Sequence, residues 1–219
     1  MRFFICIIFL LVFTSAVFAE SPDGFVTYKV KAGDTLSRIA PREHWDIIRR
    51  ANRIDDAHLI IGKSIFIPND LEKAKKFMPV PEYVDKAEKS ARVIYVFLDK
   101  QYFGAYENGK LVFCGPISSG AKGKSTPQGN YKVRWRAKTY HSRKYGADMN
   151  FAINISDDGY FLHEQSLPGR PASHGCIRLL RSDAEKIFNW IKKHDPVILA
   201  KSTALQFSSA VLFFSKAIF

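Results

Sequence analysis

The chain has 219 residues, and its 33 lysines and arginines outnumber its 21 aspartates and glutamates, which gives a formal net charge of +12. This length fits one ordinary domain or a medium domain with a small partner. The positive charge favours anionic polymers or membrane surfaces as partners. Nucleic acid is not expected among them, because the basic residues are scattered and no zinc-finger, homeodomain or RNA-stacking signature accompanies them.

The chain begins with a pattern typical of an export signal. Arg2 precedes the apolar run 3–12, and small residues follow up to Ala19. We therefore expect residues 1–19 to be a signal peptide cleaved after Ala19, and the mature protein to lie in the periplasm or cell wall. An uncleaved membrane anchor is the alternative, but the apolar run is shorter than the roughly 20 residues of a spanning helix.

Residues 26–69 predict a small module of two helices and two strands. An alternating apolar pattern opens the segment, and a second one closes it before Pro68. Two stretches with helical spacing lie between these patterns. Asp34 or Thr35 is placed to cap the first helix, and Pro41 interrupts that helix early.

The same segment resembles a LysM domain. The stretches YKVKAGDTLSRIA, NRIDD and LIIGKSIFIP carry the resemblance, although Gly62-Lys63 stands where the family usually has Pro-Gly-Gln. The resemblance implies two helices on a two-stranded sheet. It also implies binding to glycans that contain N-acetylglucosamine, such as peptidoglycan strands. A structural module without sugar affinity is the alternative.

Two other segments differ in composition from the predicted domains. Residues 70–90 are charged and broken by prolines, so we interpret them as a linker whose lysines form a solvated face. Residues 201–219 form an apolar, aromatic-rich tail that is too short to span a bilayer. We expect this tail to dock on the second domain, and peripheral membrane contact is the alternative.

Residues 91–200 predict a mostly β domain with one helix near its end. Apolar and β-branched runs alternate with turn signals, and Asn108-Gly109 marks a hairpin. Ser182, followed by Glu185 three residues later, predicts the start of the helix. Residues 140–151 are predicted to be a loop that could cover a substrate site. The fold class expected for the whole chain is α+β.

Cys176 is the candidate nucleophile of the second domain. Cys6 belongs to the predicted signal, so the mature chain keeps only Cys114 and Cys176. A thiol attacks a carbonyl as the thiolate, and a neighbouring imidazole or positive charge lowers its pKa. His174 lies two residues before Cys176, and His163 ends a predicted strand thirteen residues before it. A Pro-Gly loop between them could bring His163 to face the sulfur.

Two neighbouring features fit this chemistry. Gly175 has no side chain, so a substrate carbonyl could approach the backbone N–H groups around Cys176, which would stabilise an oxyanion. Cys114 follows an apolar strand and is expected to be a buried core thiol. A disulfide between Cys114 and Cys176 is the alternative, since export exposes both to an oxidising compartment.

The second domain resembles the L,D-transpeptidase catalytic domain of the YkuD type. The stretch LH, followed by LPGRPASHGCIRL, resembles the signature of this family, and GPISSGAKGKSTPQGNYKV matches its glycine and Thr-Pro-x-Gly pattern. The resemblance covers roughly residues 91–200. It implies that Cys176 is the nucleophile and that His163 is the general base. Ser173, His174 and Gly175 would shape the pocket and the oxyanion site. Arg178 would hold a substrate carboxylate.

The resemblance implies a transferase that needs no metal or other cofactor. A thioester forms at the third residue of a peptidoglycan stem peptide, the terminal D-alanine leaves, and an amine takes the acyl group. The product is a 3-3 crosslink or a wall-attached protein, and water as acceptor is a variant.

Two other functions stay open at this point. Glu164-Gln165 stands where many family members have glycine after the histidine, whose following backbone carbonyl orients the ring in the family. This departure favours a non-catalytic wall-binding protein with a degenerate second domain. Papain-like or NlpC-type hydrolysis is a third reading, but in those folds the cysteine usually precedes the histidine.

Overall fold

The computed structural model describes residues 21–202. The predicted signal peptide, residues 1–19, and most of the apolar tail, residues 203–219, lie outside the described residues. Within residues 21–202, no helix is both long enough and apolar enough to cross a membrane.

The first domain is a two-stranded antiparallel sheet with two helices. β1 (Phe25–Lys29) pairs with β2 (Ser64–Pro68), and α1 (Leu36–Ile39) and α2 (Trp45–Asn52) lie between them in the chain. Apolar side chains from these elements and the turns beside them form one small core: Val30, Leu36, Ala40, Ile48, Ile65 and Ile67. The predicted two-helix, two-strand arrangement is confirmed.

Residues 70–90, predicted above to be a linker, pack against both domains, and Ala74 is buried with Phe25 and Ala51 of the first domain. They contain the short helix α3 (Leu71–Ala74) and a single 3₁₀ turn at Asp85–Ala87. Three of their apolar side chains, Val80, Val84 and Ala87, are buried against large aromatic residues of the second domain, among them Tyr95 and Tyr106. The segment therefore forms a covering layer on one face of the large sheet.

Within the described residues, the second domain contains nine strands and one helix. In chain order they are β3 (Val93–Phe97), β4 (Tyr102–Glu107), β5 (Lys110–Ser118), β6 (Gly129–Lys132), β7 (Trp135–Ser142), β8 (Ala147–Asn154), β9 (Phe161–Glu164), β10 (Ile177–Leu179), α4 (Arg181–Trp190) and β11 (Pro196–Ala200).

The nine strands form one curled sheet in the order β6-β11-β3-β4-β5-β10-β9-β8-β7. Most neighbours are antiparallel, and the parallel pairs are β9 with β10 and β3 with β11. The main core includes buried residues from both halves of the sheet and from α4: Ile94, Phe103, Ile117, Ile153, Leu162, Ile177, Leu179, Ala184 and Ile187. The predicted mostly β domain with one C-terminal helix is confirmed.

One predicted turn is present in the backbone, while a predicted loop and a predicted helix cap are not. Asn108 and Gly109 have φ of +47° and +84°, as a two-residue hairpin turn requires, so the turn between β4 and β5 is as predicted. Residues 140–151 are not a loop: β7 and β8 run through most of the segment and leave only a short turn. α4 begins at Arg181, so Ser182 lies inside the helix and does not cap it.

A buried ion pair joins the two domains. Arg50 of α2 donates to Asp183 of α4 (Nη2 to Oδ1, 2.8 Å) and to the carbonyl oxygen of Cys114 (3.1 Å). The Tyr102 hydroxyl donates to the carbonyl oxygens of Arg50 and Ala51 at 2.8 and 3.1 Å. Asp183 is only 2% exposed, and burial raises the pKa of its carboxyl, although the Arg50 charge offsets part of this shift.

Candidate active site

Two adjacent parallel strands bring the predicted catalytic residues together. His163 lies in β9 and is paired in register with Arg178 of β10, while Cys176 directly precedes β10. Residues paired in register point to the same face of a sheet, and residues two apart in a strand share a face. His163, Arg178 and Cys176 accordingly line one cavity of about 60 Å³.

Five of the six predicted site residues line this cavity. Residues that sequence reasoning did not assign to the site complete the lining. The lining residues are Tyr145, Ala147, Met149, His163, Gln165, Ser173, His174, Cys176 and Arg178. The sixth predicted residue, Gly175, lies in the backbone turn immediately before Cys176.

The His163 ring is held by the backbone of the residue that follows it. Nδ1 lies 2.8 Å from the carbonyl oxygen of Glu164, an acceptor, so Nδ1 carries the proton and Nε2 is left as the basic nitrogen. His163 is 5% exposed, and burial lowers its pKa to about 4, with a further contribution from the positive charge of Arg178. The ring is therefore neutral at neutral pH, as a general base must be.

Glu164, the departure from the family pattern, provides this carbonyl. A backbone acceptor does not depend on the side chain, so the contact that orients the ring is present with glutamate here. The Glu164 carboxylate is directed instead toward Arg181 of α4, at 3.3 Å. The substitution thus leaves the orienting contact intact.

The Cys176 thiol is buried, and its pKa differs from the expected direction. It is 8% exposed and packs with Met149, Ala152 and Phe161. Burial raises the pKa of the thiol, while a hydrogen bond that the sulfur accepts from the Phe161 backbone N–H and the charge of Arg178 partly oppose that rise. The resting pair is therefore a neutral thiol beside a neutral imidazole rather than a preformed thiolate.

Ser173 shapes the turn that carries Cys176. Its buried hydroxyl donates to the carbonyl oxygen of Cys176 at 2.5 Å and accepts from the Gly175 N–H at 3.0 Å. The Gly175 N–H is therefore already engaged. The Thr126 hydroxyl, from the Thr-Pro-x-Gly motif, donates to the Gly175 carbonyl oxygen at 2.9 Å. This gives the threonine of that motif a structural role that the sequence analysis did not assign.

Gly175 requires glycine for two independent reasons. Its φ is +121°, a conformation that residues with a Cβ rarely adopt. A Cβ at this position would also lie 2.8 Å from Cε1 of the Tyr160 ring. The absence of a side chain thus permits the turn, as well as leaving room for a substrate.

The turn between β7 and β8 covers the cavity. Tyr145 from this turn packs on the exposed ring of His174, with 5.1 Å between the ring centroids, and the Lys144 ammonium lies 5.3 Å from the Tyr145 ring centroid. The hairpin is attached to β9 by stacking of Tyr140 on Phe161. Charged and glycine residues obscured the strand pattern of this hairpin in the sequence.

A larger groove of about 530 Å³ lies beside the cavity, and Gln165 borders both. Residues of both domains line it: Arg49, Asp55, Asp56, Asp148, Asn150, Glu164, Gln165, Ser166, Leu180, Arg181 and Ser182. The cavity at Cys176 thus adjoins a groove with walls from both domains.

The second cysteine of the described residues lies away from the cavity lining. Cys114 and Cys176 are both free thiols, and the Cys114 sulfur lies 3.7 Å from the Met78 sulfur. Cys114 is half-buried against the aromatic cluster under residues 70–90. Among residues 21–202, no group of three or more His, Cys, Asp or Glu side chains is arranged to hold a metal ion.

Comparisons with known proteins give two family matches and a set of similar structures. The L,D-transpeptidase catalytic domain matches residues 91–199, and the LysM domain matches residues 28–68. None of the curated proteins compared with the chain matches it.

Similar solved structures include three L,D-transpeptidases. One from Stackebrandtia nassauensis is 26% identical, with a TM-score of 0.49 over 58% of this chain and 62% of that one. One from Mycobacterium tuberculosis H37Rv is 26% identical, with a TM-score of 0.47 over 51% and 58%. L,D-transpeptidase 3 from Mycobacterium tuberculosis, in complex with a faropenem-derived adduct, is 25% identical, with a TM-score of 0.46 over 51% and 60%.

The chain thus spans 58 to 62% of the length of these three proteins. The family matches are specific to each domain and agree with the two units of the fold. Residues 91–199 belong to the L,D-transpeptidase catalytic-domain family, and residues 28–68 belong to the LysM family.

Proposed function

We propose that this protein is a peptidoglycan L,D-transpeptidase that works through a thioester on Cys176. The donor is a tetrapeptide stem, and the bond broken joins its third residue to the terminal D-alanine. The observation that carries the proposal is that Cys176 and His163 line one cavity from adjacent strands, with the basic nitrogen of a neutral imidazole available. Membership of the catalytic-domain family supports the same reaction.

Acylation begins with a neutral thiol. His163 Nε2 accepts the thiol proton as the Cys176 sulfur attacks the donor carbonyl carbon, so charge develops only as the bond forms. Backbone amides beside Cys176 stabilise the oxyanion. Because the Gly175 N–H is held by Ser173, the proposed donors are the amides on either side of it, those of His174 and Cys176. The imidazolium then gives its proton to the leaving amine of D-alanine as the carbon–nitrogen bond breaks.

Transfer reverses the roles of the same groups. An acceptor amine loses a proton to His163 as it attacks the thioester, and the proton returns to sulfur as the carbon–sulfur bond breaks. A stem-peptide amine gives a 3-3 crosslink, a protein amine attaches that protein to the wall, and water releases the tripeptide. Tyr145 and the turn around it cover the thioester, which limits access of water.

Arg178 holds a carboxylate of the donor stem. Its guanidinium is half-buried at the cavity, where a bidentate contact to a carboxylate is stronger than at an exposed site. The LysM domain holds the enzyme on glycan strands, and the excess of positive charge, +12 for the full chain, favours the anionic wall. Both domain families act on the cell wall, so the site of action is outside the cytoplasm, in the periplasm or wall.

The test separates this enzyme from a non-catalytic wall-binding protein. We expect a tetrapeptide donor to lose D-alanine with the wild type and not with Cys176→Ala. Intact-mass analysis with a carbapenem should show an adduct on the wild type alone. Binding to purified sacculi does not discriminate, because both proteins bind. A folded wild type that neither acylates nor turns over would exclude the transpeptidase and favour the wall-binding alternative.

A further inference from the structure

The loop between β9 and β10 connects the proposed base to the proposed nucleophile. It runs from Gln165 to Gly175, with His163 just before it and Cys176 just after it. The loop joins two neighbouring parallel strands without a helix. Its conformation therefore affects how the Cys176 sulfur is placed against the His163 ring.

The catalytic domain anchors the second half of this loop. The N–H groups of Ala172 and Ser173 both donate to the carbonyl oxygen of Ser119, each at 2.9 Å. The Ser118 hydroxyl donates to the carbonyl oxygen of Arg170 at 2.8 Å. These contacts fix the chain from Arg170 to Cys176 against β5 and the residue after it.

The LysM domain anchors the middle of the loop. Leu167 donates its N–H to the Asp55 carboxylate (Oδ2, 2.9 Å) and accepts at its carbonyl from the Asp55 N–H at 3.0 Å. Gly169 donates to the carbonyl oxygen of Arg53 at 3.0 Å, and Pro168 forms a β-bridge with Ile54. Leu167 is fully buried. Three consecutive LysM residues thus bind three consecutive loop residues.

The Asp55 side chain is itself held in place. Its other carboxylate oxygen, Oδ1, accepts from the Ala57 N–H at 3.0 Å and lies 2.5 Å from Nδ1 of His58. Asp55 is 24% exposed at its side chain. A carboxylate with three nitrogen partners is directed at the loop and not at solvent, so its position is determined by the LysM fold.

A buried contact between the two domains lies at the helix that precedes these LysM residues. The buried contact of Arg50 with Asp183 and Cys114, described above, fixes α2 against α4 and β5. Arg53, Ile54 and Asp55 follow α2 directly in the chain. The LysM residues that contact the loop are therefore held relative to the catalytic domain.

We propose that Asp55 is a positioning residue of the acyl-transfer site, and that the LysM domain has a second role beside glycan binding as a support of the catalytic loop. The inference rests on the proposed function. Without the Asp55 carboxylate, the buried Leu167 N–H loses its acceptor and the middle of the loop shifts. The turn that carries Cys176 then moves relative to His163. A displacement of about 1 Å in such a geometry lowers a rate constant by up to ~100-fold.

The test uses the full mature chain and a tetrapeptide donor without sugar, so that a change in glycan binding has no influence. Single-turnover thioester formation, followed by intact mass at several donor concentrations, gives a limiting rate constant and a half-saturating concentration. We expect Asp55→Ala to lower the limiting rate constant by ~10- to 100-fold and to change half-saturation by less than about threefold. Asp55→Asn should recover part of the rate, because its amide oxygen can still accept from Leu167.

Asp56→Ala is the matched control. Asp56 is the next residue, is 64% exposed at its side chain, and contacts Arg49 of its own domain. It should acylate at the wild-type rate. Thermal unfolding curves should show that every variant is folded at the assay temperature.

Each of the following four results would contradict the inference. Acylation by Asp55→Ala at the wild-type rate would overturn it and leave the proposed function standing. A change in half-saturation alone would make Asp55 a binding residue. Unfolding of both Asp55 variants at the assay temperature would make it a determinant of global stability. A wild type that forms no thioester would overturn the proposed function first, and the inference with it.

Discussion

Burial controls the protonation of both groups in the proposed catalytic pair. His163 and Cys176 lie in a small, mostly apolar cavity, where the charged form of either group is disfavoured. The pair therefore starts neutral, and the proton moves during attack. Such a pair keeps an exported thiol less reactive toward oxidants until a substrate enters, since the thiolate is the species that oxidises.

The pKa of His163 determines how the acylation rate constant falls at acidic pH, the acid limb of the pH profile. Its pKa is lowered to about 4, so the basic form persists through the pH range in which an ordinary histidine becomes protonated. We expect the single-turnover acylation rate constant to stay unchanged as the pH falls from neutral, and to reach half its value near pH 4. Arg178→Gln should move the limb to higher pH, because the Arg178 charge contributes to the lowering. A wild-type limb near the ordinary value of about 6.5 would contradict this prediction.

The same shift affects stability. The folded pKa of His163 lies below the unfolded value, so the unfolded chain binds the proton first as the pH falls. The contribution of neutral His163 is complete above about pH 6.5 and is lost as the pH falls to about 4. A group that shifts by this amount accounts for about 3 kcal/mol across that window. His163→Gln should remove this part of the acid sensitivity in urea unfolding.

Gly175 offers a second test at the residue scale. Gly175→Ala places a Cβ against the Tyr160 ring and forces alanine to a φ of +121°, so we expect about 1 to 3 kcal/mol of destabilisation and loss of acylation. Gly123→Ala is the control, because Gly123 also has a positive φ but has nothing within 4 Å of the new Cβ. Urea unfolding and intact-mass acylation measure both effects. Equal acylation by the two variants would contradict the role given to the Gly175 turn.

At the scale of elements, turn residues and apolar spacing predicted the helices and strands that depend on local sequence. The Asn108-Gly109 hairpin, α4 and the LysM elements depend on turn residues and apolar spacing, and their presence was predictable, although the cap predicted at Ser182 was wrong. The β7–β8 hairpin was not, because its strands carry charges and glycine. It is stabilised by tertiary contacts such as Tyr140 on Phe161, which no local pattern records.

The sequence indicated the residues of the candidate site, but not the pKa values or the hydrogen bonds of those residues. The Ser-His-Gly-Cys motif and the upstream histidine indicated Cys176 and His163 as candidates, and both side chains line one cavity. The raised pKa of the thiol was not predictable, since it depends on burial by Phe161 of β9 and Met149 of β8 in the folded sheet. The engagement of the Gly175 N–H by Ser173 likewise requires the folded turn.

At the scale of the whole molecule, the docking of the two domains was the least predictable feature. Arg50 and Asp183 are 133 residues apart in the chain, and each is ordinary in its local context. The segment expected to be a linker buries its apolar side chains on the second domain, while its lysines are exposed as expected. Both features follow from complementarity between surfaces, which a sequence pattern does not display. The contacts of Arg50 with Asp183 and of Tyr102 with Arg50 join the LysM domain to the catalytic domain.

Arg50 provides the prediction at this scale. Arg50→Met leaves the buried Asp183 carboxylate and the Cys114 carbonyl without their donor, and loss of one partner of a buried pair costs about 3 to 5 kcal/mol. We expect this loss in the free energy of unfolding at neutral pH, measured in urea. Asp46→Ala is the control, because Asp46 is 58% exposed at its side chain and pairs with Arg50 on the surface of α2, a contact worth less than about 1 kcal/mol.

The pH dependence of the Arg50 variant identifies the cause of its loss. Burial raises the pKa of Asp183, and removal of the Arg50 charge raises it further. A carboxyl with a raised folded pKa binds a proton on folding as the pH falls, and the neutral form no longer requires a cation. The stability deficit of Arg50→Met should therefore be largest at neutral pH and shrink on acidification, and Arg50→Met with Asp183→Leu should recover most of it. A deficit that is the same at every pH would instead point to lost packing of the arginine stem.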